Sequence, residues 1–270
     1  MYKKPFAIPF IGWILIGTIV PGLVIAFYGF TDRSGSFTMD NVTSILAPEH
    51  AKALWMSLLL AFISSLICLI ISLPLALILR NSKLSSKGFL VFIFILPMWM
   101  NFLLRTMAWQ VLLERGGLIN SFFENIGMPG FQIINTPVAV VLGMVYDYLP
   151  FMILPIYNSM IKIENAVIEA AYDLGATKAK VFKDVILPLS VPGIASGITM
   201  VFVPALTTFA ISNMLGGGKI YLIGNIIEQE FTTTSNWNLG SGLSLVMMVF
   251  ILVTMELMSR LDKDGDGALI

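Results

Sequence analysis

The sequence is poor in charge and nearly devoid of the residues that bind metals or form cross-links. Of its 270 residues only 12% are Asp, Glu, Lys or Arg, against 57% hydrophobic ones, and the mean hydropathy is +0.88. Soluble domains are about a quarter charged and half apolar, so a chain of this balance is not a water-soluble globule. Sixteen basic and sixteen acidic side chains cancel, which leaves no basic field to hold a phosphate backbone and excludes nucleic acid as a partner. The single cysteine, Cys68, cannot close an internal disulfide, and with a single histidine, His50, the ligand sets of zinc, haem and iron–sulfur centres are missing. An intramembrane protease is disfavoured on similar grounds. His50 lies outside the apolar runs and Asp147 is the one aspartate inside them, so neither a Ser–His pair nor paired aspartates can form there. Clear internal repeats, expected of an ATP-independent carrier, are also absent.

What the sequence does have is long apolar runs. A helix rises about 1.5 Å per residue, so a bilayer core about 30 Å thick needs roughly 20 apolar residues. Six stretches meet that length, at 10–30, 54–79, 89–113, 137–157, 190–215 and 239–257. In lipid each must satisfy its own backbone, which a helix does locally. A barrel would need alternating strands, and these runs do not alternate. The expectation is an all-α membrane protein with six transmembrane helices. Lys3 and Lys4 precede the first run as in a secretory signal, but the run is too long and no small-x-small cleavage site follows, so it reads as a retained helix.

Cations between the runs set the orientation. With the amino terminus inside, eleven lie on the inner side (Lys3, Lys4, Arg80, Lys83, Lys87, Lys162, Lys178, Lys180, Lys183, Arg260 and Lys263) and four on the outer (Arg33, Lys52, Arg115 and Lys219). Both termini are therefore expected in the cytoplasm. The chain divides into a first helix with its outer segment (1–53), a five-helix core (54–260) and an acidic tail (261–270). Pro74, Pro97, Pro150, Pro155, Pro192 and Pro204 interrupt the runs. Kinked spans line a pathway in some membrane proteins and only pack in others. The stretch 121–136, with Phe122, Phe123 and Phe131 among Gly127, Pro129 and Gly130, reads as a short element on the outer surface.

The most informative segment is the inner loop 161–188. Ile163, Val167, Ala170, Ala171 and Leu174 recur at helical spacing while Glu164, Glu169 and Asp173 point elsewhere, the pattern of a short amphipathic helix. Gly175 stops it, and Thr177 caps a second short helix carrying Val181, Phe182 and Val185 before Pro188. The pair would present a compact knob to a partner, or pack on its own membrane domain. Glu169-Ala170-Ala171, three residues, Gly175, nine residues and then Val185-Ile186-Leu187-Pro188 closely resemble the EAA loop of type I binding-protein-dependent ABC importer permeases. Val185 stands where that family usually has isoleucine.

The resemblance runs from about residue 55 to 260 and implies the MetI-like type I permease fold in a bacterial inner membrane. It implies that the loop is a coupling helix seated in a cytoplasmic ATPase, with Glu169, Ala170, Ala171, Asp173, Leu174 and Gly175 as coupling residues. The runs Leu187-Pro188-Leu189-Ser190-Val191-Pro192, Leu215-Gly216-Gly217-Gly218-Lys219 and Leu222-Ile223-Gly224-Asn225-Ile226-Ile227 are similar to the spermidine/putrescine permease subfamily, which makes polyamine the expected solute. The implied partners are an ABC ATPase dimer that binds ATP and Mg, a second, PotC-type permease subunit and an extracytoplasmic solute-binding protein. This chain holds no cofactor of its own. Gly216-Gly217-Gly218-Lys219 fails as a phosphate loop, because Asn213 replaces the first glycine and Ile220 the Ser/Thr.

A buried charge in a span is costly and faces protein or water, which singles out Asp147, flanked by Tyr146 and Tyr148 and followed by Pro150. It is expected either to meet a cationic solute or to pair with Arg105. Tyr148, Trp99 and Trp109 could offer aromatic faces to an ammonium group, with Asn101 as a polar neighbour. Glu228 and Glu230, in the last outer loop, could attract a polycation or hold the binding protein, or simply be solvated. His50 reads as a solvated loop residue, and Glu256 and Arg260 as an i,i+4 pair. Asp262, Asp264, Asp266 and Gly267 imitate the start of a calcium loop, but Ile270 ends the sequence before its glutamate, so the tail reads as a solvated acidic terminus.

Overall fold

The computed structural model describes residues 12–81, 96–130 and 132–267. Lys3, Lys4, Lys83, Lys87 and Phe131 lie outside the described residues, as do the side chains of Pro97 and of the acidic tail, with Asp262, Lys263, Asp264 and Asp266. The helices are α1 (Gly12–Gly29), α2 (Pro48–Asn81), α3 (Phe102–Leu113), α4 (Leu118–Asn125), α5 (Pro137–Lys162), α6 (Asn165–Asp173), α7 (Lys178–Leu189), α8 (Val191–Thr207), α9 (Ala210–Gly216), α10 (Ile223–Thr232) and α11 (Trp237–Gly267). Among the described residues no β-strand is found; Thr31 and Phe37 form one isolated bridge.

α2, α5 and α8 pack on one another, α11 lies against α8, and α1 lies against α11. Lipid is as apolar as leucine and does not drive helices together, so close packing of small residues must. On α2 the buried face is built from Ala53, Ser57, Ala61, Ser64, Ser65, Cys68, Ser72 and Ala76 at helical spacing. On α8 a Cβ at Gly193 would stand 2.6 Å from the Pro155 carbonyl oxygen and from Ser159 Cβ, so the α5 and α8 backbones meet where only glycine fits. One apolar cluster gathers Met144, Leu206, Ile211 and Leu215, a second Met152, Ile156 and Met160, and Tyr148 touches both.

Among the described residues four helices are long and apolar enough to cross a membrane: Gly12–Gly29, Pro48–Asn81, Pro137–Lys162 and Trp237–Arg260. They coincide with the expected first, second, fourth and sixth runs. The third run is described only from residue 96 on, as one tight turn (Leu96–Trp99) followed by α3, whose 12 residues rise about 18 Å. The fifth run departs from expectation, because 190–215 is not one helix. α8 stops at Thr207, Thr208 is extended (φ −65°, ψ 138°), and α9 begins at Ala210. Pro204 removes a backbone donor from the last turn of α8. Asn225 then takes over beyond the break, donating through Nδ2 to the Phe209 carbonyl at 3.1 Å and to Asn213 Oδ1 at 2.7 Å. At its other end α8 meets α7 at a bend of 64°.

Two further expectations are corrected. The surface element expected at 121–136 begins earlier, as α4, and stops before Gly127, whose φ of +79° ends the helix. His50 is not solvated: it sits in the first turn of α2, 9% exposed, and its Nδ1–H donates to the Ser44 carbonyl at 2.7 Å. The helix N-terminus and the Ser44 turn close around the ring.

The ends of the helices sort into two sets. At one end, Asn238 of α11 donates to the Tyr28 carbonyl in the last turn of α1 and to the Thr31 carbonyl just after it, the Asn135 N–H before α5 donates to the Leu215 carbonyl of α9, and the Ile223 N–H of α10 donates to Ser57 Oγ of α2. At the other end lie the last turns of α2 and α5, the start of α8, and the loop 163–190 that carries α6 and α7.

Candidate functional site

The loop after α5 folds as the sequence spacing predicts, and then differs in which side chains it shows. Ile163 and Glu164 are extended (ψ 117° and 139°) and separate α5 from α6. α6 ends in a left-handed turn. The Ala176 N–H donates to the Ala171 carbonyl at 3.1 Å and the Gly175 N–H to the Tyr172 carbonyl at 2.8 Å, with Gly175 at φ +80°. This is the Schellman arrangement, in which the residue after the cap must adopt positive φ. Thr177 Oγ1 accepts from the Lys180 N–H at 3.4 Å and caps α7, which contains one wider, π-type turn at Phe182–Ile186.

The apolar positions expected to share one face divide between two. Ile163 is buried ahead of the helix, while Ile168 and Ala171 turn inward onto the cluster of Met160, Val181 and Ile186. Val167, Ala170 and Leu174 face outward, and Leu174 is 89% exposed. Glu169 and Asp173, one helical turn apart, flank that outward stripe and are exposed, as is Gly175. The sequence reading missed Ile168, which helps fasten α6 to the bundle, and Tyr172, which is half-exposed. Their i,i+3 and i,i+4 relations to Ala171 and to Ile168 were the available signal.

Asp147 is 2% exposed on α5. Arg105 Nη2 of α3, 7% exposed, lies 3.2 Å from its Oδ1, and Thr106 Oγ1 donates to its Oδ2 at 3.1 Å. Of the two expected partners of Asp147, the structure holds the internal one, Arg105. Tyr148 packs between the two clusters and its hydroxyl lies 3.5 Å from the Pro204 carbonyl, beside the break after α8. Trp109 meets Tyr146 edge-on at 5.3 Å. Trp99 is 75% exposed, and Asn101 caps α3 by accepting from the Leu103 N–H at 2.9 Å. Glu228 stands on α10, accepts from Thr232 Oγ1 at 3.1 Å, and lines a cavity of about 490 Å³ with Phe209, Phe231 and Met248. Asp147, Asn101 and Glu228 therefore sit on three different elements, each with a partner of its own.

Residues 71–264, which include the whole of this loop, match the family of binding-protein-dependent transport system inner membrane components. The chain belongs to this family. As a binding-protein-dependent permease it is a transport subunit of the inner membrane. It is 36% identical over 259 residues to the spermidine/putrescine transport system permease protein PotB of Haemophilus influenzae, covering 93% of this chain and 91% of that one. To the protein of the same name from Escherichia coli K12 it is 35% identical over 247 residues, covering 88% and 90%. The fold matches that of a bacterial ABC transporter involved in import of the acidic polysaccharide alginate, with a TM-score of 0.80 at 18% identity over 97% of this chain and 94% of that one. It also matches the MetNI methionine ABC transporter, with a TM-score of 0.58 at 18% identity over 80% and 95%. At such identities these two establish a shared permease fold and nothing about the solute.

Proposed function

We propose that this chain is a permease subunit of an ATP-driven importer of polyamines, and that α6 is the element through which a separate ATPase moves it. The observation that carries the solute is the 36% identity, along nearly the whole chain, to a spermidine/putrescine permease. Charge supports it. The segments at the end away from α6 hold seven acids (Asp32, Asp40, Glu49, Glu114, Glu124, Glu228, Glu230) against four bases (Arg33, Lys52, Arg115, Lys219), a surface that concentrates cations.

In this reading six helices span the membrane, both termini and α6 are cytoplasmic, and a solute-binding protein delivers polyamine to the acidic outer end. A PotC-type second permease completes the pathway, and two ATPase subunits bind ATP and Mg beneath it. The outward stripe of Val167, Ala170 and Leu174, edged by Glu169 and Asp173, is the docking face, and the left-handed turn at Gly175 holds its far end in place. ATP can shift the permease only if the ATPase grips this face differently in its open and closed states. Asp147 contributes to the pathway wall through its pair with Arg105, with Tyr148, Trp99, Asn101 and Glu228 as further wall or vestibule groups.

The test is uptake by the reconstituted four-component complex with labelled spermidine, putrescine, sulfate and ferric ion. ATP-dependent accumulation of polyamine is the expected result; sulfate or iron uptake in its place would overturn the solute and leave the importer class standing. Glu169→Gln combined with Gly175→Leu should abolish uptake without preventing insertion, and persisting transport would remove the docking face.

A further inference from the structure

We propose that Arg80 is the positioning residue that stiffens the joint between α5 and α6, so that displacement of the ATPase-facing helix moves α2, α5 and α8 as one body. Arg80 lies in the last turn of α2. Its Nε donates to the Met160 carbonyl at 2.9 Å, and its Nη2 donates to the Ile163 carbonyl at 2.9 Å and to Asn165 Oδ1 at 3.2 Å. The first acceptor lies in the last turn of α5, where it also takes the Ile163 N–H at 3.3 Å, and the second is the cap residue just beyond that turn; a cation at this end offsets the helix dipole. The third is the side chain of the first residue of α6.

The position of these acceptors matters more than their number. Ile163 and Glu164 are extended and form a non-helical joint. Arg80 holds one acceptor before that joint and one after it, from a third helix. A planar guanidinium fixes several donors in one plane, so the fork resists both twist and bending at the joint. The other end of the loop is fastened separately. Ser159 Oγ of α5 donates to the Leu189 carbonyl at 3.3 Å, and Ser190 Oγ donates back to the Ile186 carbonyl at 2.7 Å within the end of the loop itself. With both ends held, a push on the outward face of α6 reaches the bundle. With the Arg80 fork removed, the extended pair is free to flex and absorb it.

This inference rests on the docking of α6 on an ATPase, and the experiment separates the two. The complete complex carrying Arg80→Met, which keeps the apolar stem, or Arg80→Lys, which keeps the charge and loses the fork, is reconstituted with its ATPase, second permease and binding protein. ATP hydrolysis and spermidine uptake are measured per assembled complex, and docking is read by cross-linking from Leu174→Cys to the ATPase. The expected result is that the cross-link forms and hydrolysis continues while uptake falls. ATP consumed per solute then rises by about fivefold or more in Arg80→Met, the scale of a coupling free energy between sites, and by less in Arg80→Lys. If the cross-link forms but that ratio is unchanged in both variants, because the activities fall together or do not fall, Arg80 is a structural residue only and the proposal is overturned while docking stands. Failure to cross-link in the chain that retains Arg80 would overturn the docking reading and this inference with it.

Discussion

At the scale of single residues, the pairing of Asp147 with Arg105 decides what a carboxylate in mid-bundle can do. Both are nearly inaccessible and 3.2 Å apart, so their attraction offsets part of the cost of burying two charges. Removing one partner of such a pair costs about 3–5 kcal/mol, whereas replacing both by apolar groups of similar size is close to neutral. Asp147→Asn is therefore expected to lower the thermal stability of the purified complex sharply, and Arg105→Met with Asp147→Leu to recover most of the loss. Thr106 tolerates the change because its one hydroxyl proton can turn to the Phe102 carbonyl, 2.9 Å away. Uptake by the double variant then separates the roles: retained transport makes the pair a brace, and lost transport in a stable protein makes the carboxylate part of the route.

A different carboxylate, Asp32 at the opposite end, is fully exposed and is held below the usual carboxylate range by the Ser34 hydroxyl first and the Ser36 N–H second, with burial acting weakly against them. Because its folded value is depressed, the order it gives the 31–37 turn is present above the ordinary carboxylate pKa of about 3.9 and is lost as pH falls through the lowered value. A carboxyl-carbon NMR titration should show a midpoint below that of an unstructured aspartate. A midpoint at or above it would refute the assignment.

Among the elements, α6 illustrates how a stop signal can be read from sequence while a face cannot. Gly175 and Thr177 were legible because their chemistry is local: positive φ favours glycine, and a hydroxyl before a helix caps it. A Cβ at Gly175 would meet nothing within 4 Å, so its constraint is conformational. Gly175→Ala should cost about 1–2 kcal/mol, the penalty of a left-handed residue bearing a side chain, and Gly175→Asn less. Uptake in whole cells should rank wild type above Asn above Ala; equal activity for Ala and Asn would contradict the turn as the cause. Which of Val167, Ile168, Ala170 and Ala171 turn inward was not legible. With only nine residues in α6, periodicity leaves the apolar arc broad, and the neighbouring cluster around Met160 and Ile186 selects Ile168 and Ala171 from it. The break after Thr207 escaped for a related reason. Hydropathy sees a continuous apolar run through Pro204, and the groups that meet the interrupted backbone, Tyr148 and Asn225, come from distant parts of the chain.

For the molecule as a whole, the loop carrying α6 lies at the opposite end from the acidic segments. Its exposed stripe has no structural task in the isolated chain. Leu174→Asp is therefore expected to leave folding within about 0.5 kcal/mol, as surface substitutions do, while abolishing co-purification of the ATPase. Normal recovery of the ATPase with that variant would remove the stripe as a docking face. Asp147, Tyr148, Trp99, Asn101 and Glu228 were legible as unusual residues in or near apolar runs. Which groups face them was not, because the contacts of Asp147 with Arg105 and Thr106, and of Tyr148 with the Pro204 carbonyl, depend on how α3, α5 and α8 pack.

The sequence by itself determined that the chain lives in lipid, where most of its spanning helices fall, and which loop carries the family's signature, because hydropathy, length and a short motif are local properties that need no folded context. Only the tertiary structure decided that the fifth apolar run is broken, that Asp147 is answered by Arg105, that His50 is enclosed, and that Arg80 grips the start of α6. The Asp147–Arg105 and Arg80–α6 contacts join residues far apart in sequence and depend on how the helices pack, and the bond of His50 to Ser44, though only six residues long, depends on how the chain turns before α2, which no pattern within one helix records.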